Sequence, residues 1–436
     1  MGQPLQGVRV IELAPGVAAS YTGKLFADFG ADVIRVEQPD RDRVRTHGPF
    51  PPGLQGDLEQ GALHLHLNTN KRSIVVDLGD RLDQDLLAAL FRSCDLVVDG
   101  LAPGTLAAAG LGSERLKSLA PAAVVLALSA FGQDGPYASM LADDIVLYAM
   151  GGPMHATGLE NREPLKLAGN QIQYQVGNVA AVAALAALTV ARRTGEGIRI
   201  DLSSFEAQVG TIDRRTSYLL YHSFTGRNGQ RTAAVPQRQV PVGLFPVADG
   251  YVQILTIPSW VPRMLAVLKD DELTARYASP AWPTDPDLPD ALDGALYPWL
   301  LAHTRDEAMA EAQAARWPVT ALNSPLDLLG NEHFRARGFW VETDHHLVGR
   351  FVQPGSPFRI ADGWRLRRPA PLLGQHNDEI RAELAARDQP PVTTALAAPA
   401  SPETTKVGLP LEGIRVIDFT VVWVSLRNPV SGRSRG

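Results

Sequence analysis

Few side chains in this sequence combine a reactive type with a fitting setting. The one cysteine, Cys94, follows a helical pattern over residues 82–92 and has no histidine near it in sequence, so it reads as a buried structural thiol and not a nucleophile. His64 and His66, and the adjacent His345 and His346, lack the cysteines or acidic cluster that a metal would need at ligand spacing. Ser129, Ser203 and Ser204 have no nucleophile-elbow context. The carboxylates are more telling for where they stop. Asp143 and Asp144 stand together, but no Asp or Glu occurs between Glu163 and Glu196, a stretch that holds Asn170, Gln171, Gln173 and Gln175. Two features could meet an anion. Gly16 precedes a helical pattern, where free backbone N–H groups suit a negative group, although an ordinary tight turn reads equally well there. Lys71 and Arg72 are either phosphate partners or a solvated charge pair.

These residues hang on an alternation of strands and helices. Residues 8–13, 32–37, 72–78, 95–98 and 124–129 are compact runs rich in Val, Ile and Leu, and residues 18–29, 82–92 and 114–119 between them have helical spacing. Strands that are apolar on both faces and separated by helices predict a parallel sheet covered on both sides. The expected fold is α/β, with a Rossmann-like large domain whose ligands sit beyond the carboxyl ends of the strands. The first strand-to-helix turn has one glycine, Gly16, where a dinucleotide fingerprint needs three, so neither a nicotinamide nor a flavin is expected. The pattern changes after residue 195. Residues 236–256 alternate and contain an Asp249-Gly250 turn, and helices are expected near 260–269 and 305–316, which together read as a smaller α+β domain. Residues 354–360 are expected to return to the large domain.

The chain sets 41 Lys and Arg against 47 Asp and Glu, a net charge of −6, which excludes a general nucleic-acid binder. A single thiol cannot form an internal disulfide, which fits a reducing, cytoplasmic compartment. Met1-Gly2-Gln3-Pro4 leads straight into a strand without a signal pattern. The longest apolar stretch, residues 176–191, is alanine-rich and interrupted by Asn178, so it reads as a core helix and not a membrane span. The chain also repeats its opening. Residues 4–13 read Pro-Leu-Gln-Gly-Val-Arg-Val-Ile-Glu-Leu and residues 410–419 read Pro-Leu-Glu-Gly-Ile-Arg-Val-Ile-Asp-Phe, identical at six of ten positions. This predicts a tandem duplication. A Pro-, Ala- and Thr-rich linker covers 386–409, the second copy starts over 410–423, and a basic, aperiodic tail over 424–436 reads as a reading-frame change or an early end of that copy.

Seven segments, in order, resemble the class III CoA-transferase family, also called CaiB/BaiF or carnitine-dehydratase-like. They include residues 4–13, Ala27 to Glu37, Asn68-Thr69-Asn70-Lys71-Arg72-Ser73, Leu111-Gly112, Ser129 to Tyr137, Arg193-Thr194-Gly195-Glu196-Gly197 and Pro371-Leu372-Leu373-Gly374-Gln375-His376-Asn377. The resemblance implies a large domain built from both chain ends, residues 1–200 and 331–385, with the smaller domain inserted over 201–330. It implies interlocked dimers and transfer of CoA from an acyl-CoA to a carboxylic acid, with coenzyme A as substrate and no permanently bound cofactor. Gly16, Val17 and Ala18 would line the nucleotide, and Lys71 and Arg72 would approach its phosphates. Two positions depart from the family. Gln38 stands where some members carry a base, and Gly100 where the family usually has Asn.

In that reaction an enzyme carboxylate attacks the thioester and forms a mixed anhydride, so it must be ionised and must later leave. The resemblance puts an Asp in this role, four residues before the Gly that opens a long alanine-rich helix. Here that glycine is Gly177, and position 173 is Gln173, a neutral amide that cannot form the anhydride at a useful rate. Asp143 and Asp144 resemble a family segment whose Asp is structural. Racemases of the family need a His where Asp143 stands and an Asp where Gln173 stands, so proton exchange on an acyl-CoA is disfavoured. The preferred reading is the scaffold half of a tandem CoA-transferase, which pairs with a second CoA-transferase domain that holds the active Asp, or forms a homodimer. The alternatives are a transferase that uses another residue, and a CoA-binding or assembly subunit without chemistry.

Overall fold

The computed structural model describes residues 2–39, 42–159, 161–211, 213–227, 240–360, 363–387, 409–412 and 414–417. Most of the expected linker and residues 418–436 of the expected second copy and tail lie outside the described residues.

Six strands, β1 (Arg9–Leu13), β2 (Asp32–Glu37), β3 (Arg72–Val75), β4 (Leu96–Asp99), β5 (Val124–Ser129) and β6 (Arg199–Ser203), form one sheet in the order β3-β2-β1-β4-β5-β6. Every pairing is parallel. This is the doubly wound order, and its switch point lies between β1 and β4. Strand β3 is shorter than the expected 72–78, because Asp77 turns the chain by accepting the Gly79 N–H at 2.8 Å. On one face Ile11, Ile34, Ile74 and Val97 pack against Leu87 and Phe91 of helix Arg81–Arg92. Ile380 of helix Asn377–Arg387 enters the same core, so the sheet domain is built from both ends of the described chain.

The chain divides into two compact units. One comprises Met1–Ser139, Tyr174–Ser203 and Arg367–Gly436, the other Met140–Gln173 and Ser204–Leu366. The expected large domain over 1–200 is thus interrupted at residues 140–173. The return comes at Arg367, not within 354–360. In the second unit, β7 (Val242–Val247), β8 (Gly250–Leu255) and β9 (Val319–Ala321) form an antiparallel sheet. Its core includes Phe245, Ile254, Leu292, Leu296 and Trp317, and the Trp317 indole N–H donates to Thr256 Oγ1 at 2.8 Å. Strand β10 (Trp340–His345) pairs antiparallel with β11 (Gly349–Pro354), which keeps Pro354 in this unit and explains the late return.

Two more expectations need correction. The alanine-rich helix runs from Gln171 to Thr194 and starts six residues before Gly177. Gly177 is an interior contact point: a Cβ there would stand 2.9 Å from both Ala18 O and Tyr21 Cδ1. The helix therefore lies closely on helix α1 (Val17–Asp28). Among the described residues it is the one helix long and apolar enough to cross a membrane, and half of its apolar window is buried within the protein. Residues 414–417 form no strand, although their counterparts Val8, Val10 and Ile11 are buried in or beside β1. A lone strand has no partner for its backbone groups, and Ile414, Val416 and Ile417 are exposed.

Candidate functional site

Strand β1 ends at Leu13, Ala14 and Pro15 turn the chain, and α1 begins at Val17. The N-cap of α1 is Gly16, in an extended conformation, and no side chain caps it. The first N–H groups of a helix need an acceptor from elsewhere. They stand at the switch point, where Ala14, Pro15, Gln38, Asp42 and Leu101 line a cleft of about 290 Å³. A second cleft of about 530 Å³ adjoins it, shares Gln38 and Thr105, and extends past Asp77 and Gly79. Gly16, Val17 and Ala18 stand at the carboxyl end of the sheet, and none of them is among the described residues that line the two clefts. Among the described residues no Lys or Arg lines either cleft.

The face of the sheet beneath α1 is charged. Strand register sets Glu12 beside Arg35, and Arg35 beside Ser73. The Arg35 guanidinium donates to Glu12 and Asp42, to Ser20 Oγ at 2.9 Å and to Ala14 O at 2.7 Å. Arg45 forks onto Glu37 at 2.6 and 2.9 Å and reaches Glu59 at 2.7 Å. Burial alone would raise the Glu37 carboxyl, but Arg45 and Arg35 outweigh it and hold the group far below the usual carboxylate range. Asp42 moves upward, because burial and the neighbouring Glu37 together exceed the pull of Arg35. Such a row survives only because each charge is paired and hydrogen-bonded. Sequence reasoning missed it, although Arg and Glu inside the otherwise apolar run Asp-Val-Ile-Arg-Val-Glu were a usable signal.

Lys71 and Arg72 belong to this interior. Both are buried, so a solvated pair is ruled out. Lys71 Nζ lies 2.8 Å from Glu12 Oε2 and donates to Ser20 O at 2.7 Å and Asn68 Oδ1 at 2.9 Å. Burial pushes its ammonium down to about 8, with Glu12 opposing and Arg35 adding to the fall. Arg72 pairs with Asp32 at 2.7 Å and with Glu383 at 2.6 Å. Neither lines a cleft, so direct phosphate contact by these two gives way to interior pairing.

Asp99, at the end of β4, is held up at about 6, mainly by burial, with the Leu101 N–H and Arg199 opposing. A carboxyl raised on folding stabilises the protein below its unfolded value near 4, and that contribution is lost as pH rises through about 6. Asp99→Asn can still accept from Leu101 N, now 3.1 Å away. The variant is expected to be more stable at pH 7 by about 1–3 kcal/mol. Melting temperatures at pH 4 to 7 check this: wild type should lose stability relative to the variant between pH 4 and 6.

Gln173 is the third residue of helix Gln171–Thr194 and is half-buried. Its backbone N–H donates to Asp144 Oδ1 at 3.3 Å. Asp144 is buried, with Lys166 Nζ 2.8 Å from its other oxygen. Asp143 caps helix Asp144–Met150. Both acids serve local structure. Gln173 falls in the second unit and the Gly16 turn in the first. Burial drives the Cys94 thiol up to about 12, so it holds no thiolate near neutrality. His64 is fully buried, with Asn68 Nδ2 2.8 Å from its Nδ1. Among the described residues no group of three or more His, Cys, Asp or Glu could hold a metal ion.

Fold and site together define a doubly wound α/β protein with an inserted α+β unit and an uncapped helix at its switch point. The chain belongs to CoA-transferase family III, whose family model matches residues 5–377. It is 29% identical to the succinyl-CoA:(R)-benzylsuccinate CoA-transferase subunit BbsE of Thauera aromatica, over 88% of this chain and 95% of that protein. It is 27% identical to the human succinyl-CoA:glutarate CoA-transferase, over 91% of this chain and 89% of the relative. A protein named as a probable CoA-transferase in Mycobacterium tuberculosis is 32% identical over 95% of this chain, which spans only 50% of that relative. The crystal structure of a CaiB/BaiF family protein from Brucella suis matches with a TM-score of 0.76 at 28% identity, covering 88% of this chain and all of the other.

Proposed function

We propose that this chain is the scaffold half of a tandem family III CoA-transferase. It binds the coenzyme portion of an acyl-CoA at the β1–β4 switch point through Gly16, Val17 and Ala18. Lys71 and Arg72 act from beneath, by fixing Glu12 and Asp32. A second CoA-transferase domain supplies the carboxylate that attacks the thioester, paired with this one as interlocked subunits would be. The observation that carries this reading is Gln173, a neutral amide at the family's nucleophile position, with no acid between Glu163 and Glu196 to replace it. The repeat of the opening decapeptide at residues 410–419 supports it, as does the Mycobacterium tuberculosis relative, of which this chain matches one half. The setting we propose is cytoplasmic. The relatives named for succinyl-CoA suggest succinyl-CoA with glutarate as the first donor and acceptor to try.

The test uses the purified chain. Calorimetry should detect CoA binding, while exchange between succinyl-CoA and glutarate should run no faster than in Gln173→Ala. Robust turnover that survives Gln173→Ala, with covalent labelling of a different acid, would sink the reading. The absence of a cation among the described residues lining the clefts favours a second reading, an assembly subunit without coenzyme. Calorimetry with no CoA signal would select it.

A further inference from the structure

We infer that Arg35 is the positioning residue of the switch-point cleft: one buried guanidinium ties its walls together and sets the geometry that a ligand meets. As a statement about CoA affinity this rests on the coenzyme-binding reading above; as a statement about the cleft it does not. The walls come from separate segments. Ala14 and Pro15 belong to the turn after β1, and Asp42 to the loop after β2. Nothing in the sheet's own hydrogen bonding links these segments, since the β1–β2 ladder stops at Glu12 and Arg35. Arg35 makes the link. Its Nη2 donates both to Ala14 O, at 2.7 Å, and to Asp42. Its Nη1 donates to Glu12 and, at 2.9 Å, to Ser20 Oγ in the second turn of α1. The end of β1, the turn, the helix and the far wall therefore converge on one side chain that is 1% exposed.

Two chemical points make arginine specific here. A guanidinium offers five N–H donors in a rigid plane, so it can hold two walls at once. A lysine ammonium is a point donor on a flexible stem and reaches one wall at a time. The contact to Ala14 O also fixes the peptide that leads into Gly16, the residue whose helix start is uncapped. Losing it frees the turn, and losing the contact to Asp42 frees the opposite wall. Arg35 is thus distinct from its neighbours Arg45 and Lys71, which bind Glu37 and Glu12 without reaching Ala14.

The test compares Arg35→Lys with Ser73→Ala. Ser73 lies at the other end of the same row, where its hydroxyl meets Glu37 and not Arg35. Each variant is first shown to melt cooperatively. Calorimetry should then give Arg35→Lys a CoA dissociation constant at least tenfold weaker than wild type, with Ser73→Ala within twofold even though its melting temperature falls. Hydrogen exchange without ligand should rise together in residues 14–20 and 42–46 for Arg35→Lys alone. A folded Arg35→Lys with wild-type affinity and wild-type exchange overturns the inference. If Arg35→Lys does not fold, Asp42→Ala decides: it removes the acceptor in one wall only, so about threefold weaker binding is expected, and unchanged exchange across both walls overturns the proposal. If wild type binds no CoA, the coenzyme reading fails, and the exchange comparison still decides the role of Arg35.

Discussion

Gln173→Asp is expected to give the chain a carboxylate that captures CoA covalently. Incubation with succinyl-CoA should first form the mixed anhydride and release CoA, whose thiolate then attacks the enzyme's carboxyl carbon and expels succinate, so that the intact variant gains the mass of CoA less one water and wild type gains nothing. The site favours the change. Position 173 lies in the first turn of a helix with no acidic residue there, where a carboxylate is stabilised by the helix N-terminus, by about 0.3–1 kcal/mol. The contact from the backbone N–H of residue 173 to Asp144 is kept whatever the side chain. Loss of a covalent nucleophile can cost up to ~10⁶-fold in rate. A partial rescue of ~10²-fold in succinyl-CoA/glutarate exchange would be clear above background and well short of full restoration. A variant that binds CoA but takes no adduct would mean that more than the nucleophile has been lost.

Gly23→Ala is expected to be among the more damaging single-methyl additions within the described residues. A Cβ at Gly23 would fall 1.6 Å from Glu12 Oε2 and 2.8 Å from its Cδ. Elsewhere a carboxylate would swing aside. Glu12 has nowhere to go, because it is fully buried and held by Arg35 and by Lys71, whose Nζ is 2.8 Å from Oε2. Displacing it leaves two buried cations short of a partner. Breaking a buried pair in this way costs roughly 3–5 kcal/mol. For a domain of this size that is a fall of ~10 °C in melting temperature. Glu12→Gln should cost a similar amount, and the double variant should cost much less than the sum, since both changes remove the same interaction. Additive losses in chemical denaturation would show that Glu12 and Gly23 act separately.

The parts of the molecule that were legible in sequence are those written in periodicity. Five of the six parallel strands follow from apolar runs, because a strand covered on both faces has no polar side to confuse the pattern, whereas β6, Arg-Ile-Asp-Leu-Ser, is not such a run. The β7–β8 hairpin follows from alternation around Asp249-Gly250. What could not be read depends on register and packing. The short run at 72–78 gives no hint that β3 stops at Val75. Lys71-Arg72 looks like a surface dipeptide until β3 is placed beside β2 and Arg72 meets Asp32. The start of helix Gln171–Thr194 was hidden because Gly177 looks like a boundary, whereas it is a point of close approach to Ala18 and Tyr21. The gap at Gln173 was readable, since it needs only a residue type at a position; the surroundings that hold it are tertiary.

One last feature sets a direction on how this chain could change over generations. Gly100 stands where relatives by resemblance usually carry Asn, and here a Cβ at that position would come within 2.8 Å of Ala19 Cβ and 3.2 Å of Leu13 O. Helix α1 and the end of β1 leave no room for a side chain there. Position 173 can be reversed by itself, since its side chain is only half-buried, but position 100 cannot until α1 moves. The two departures therefore differ in kind: one is a door left unlocked, the other a ratchet that has already clicked.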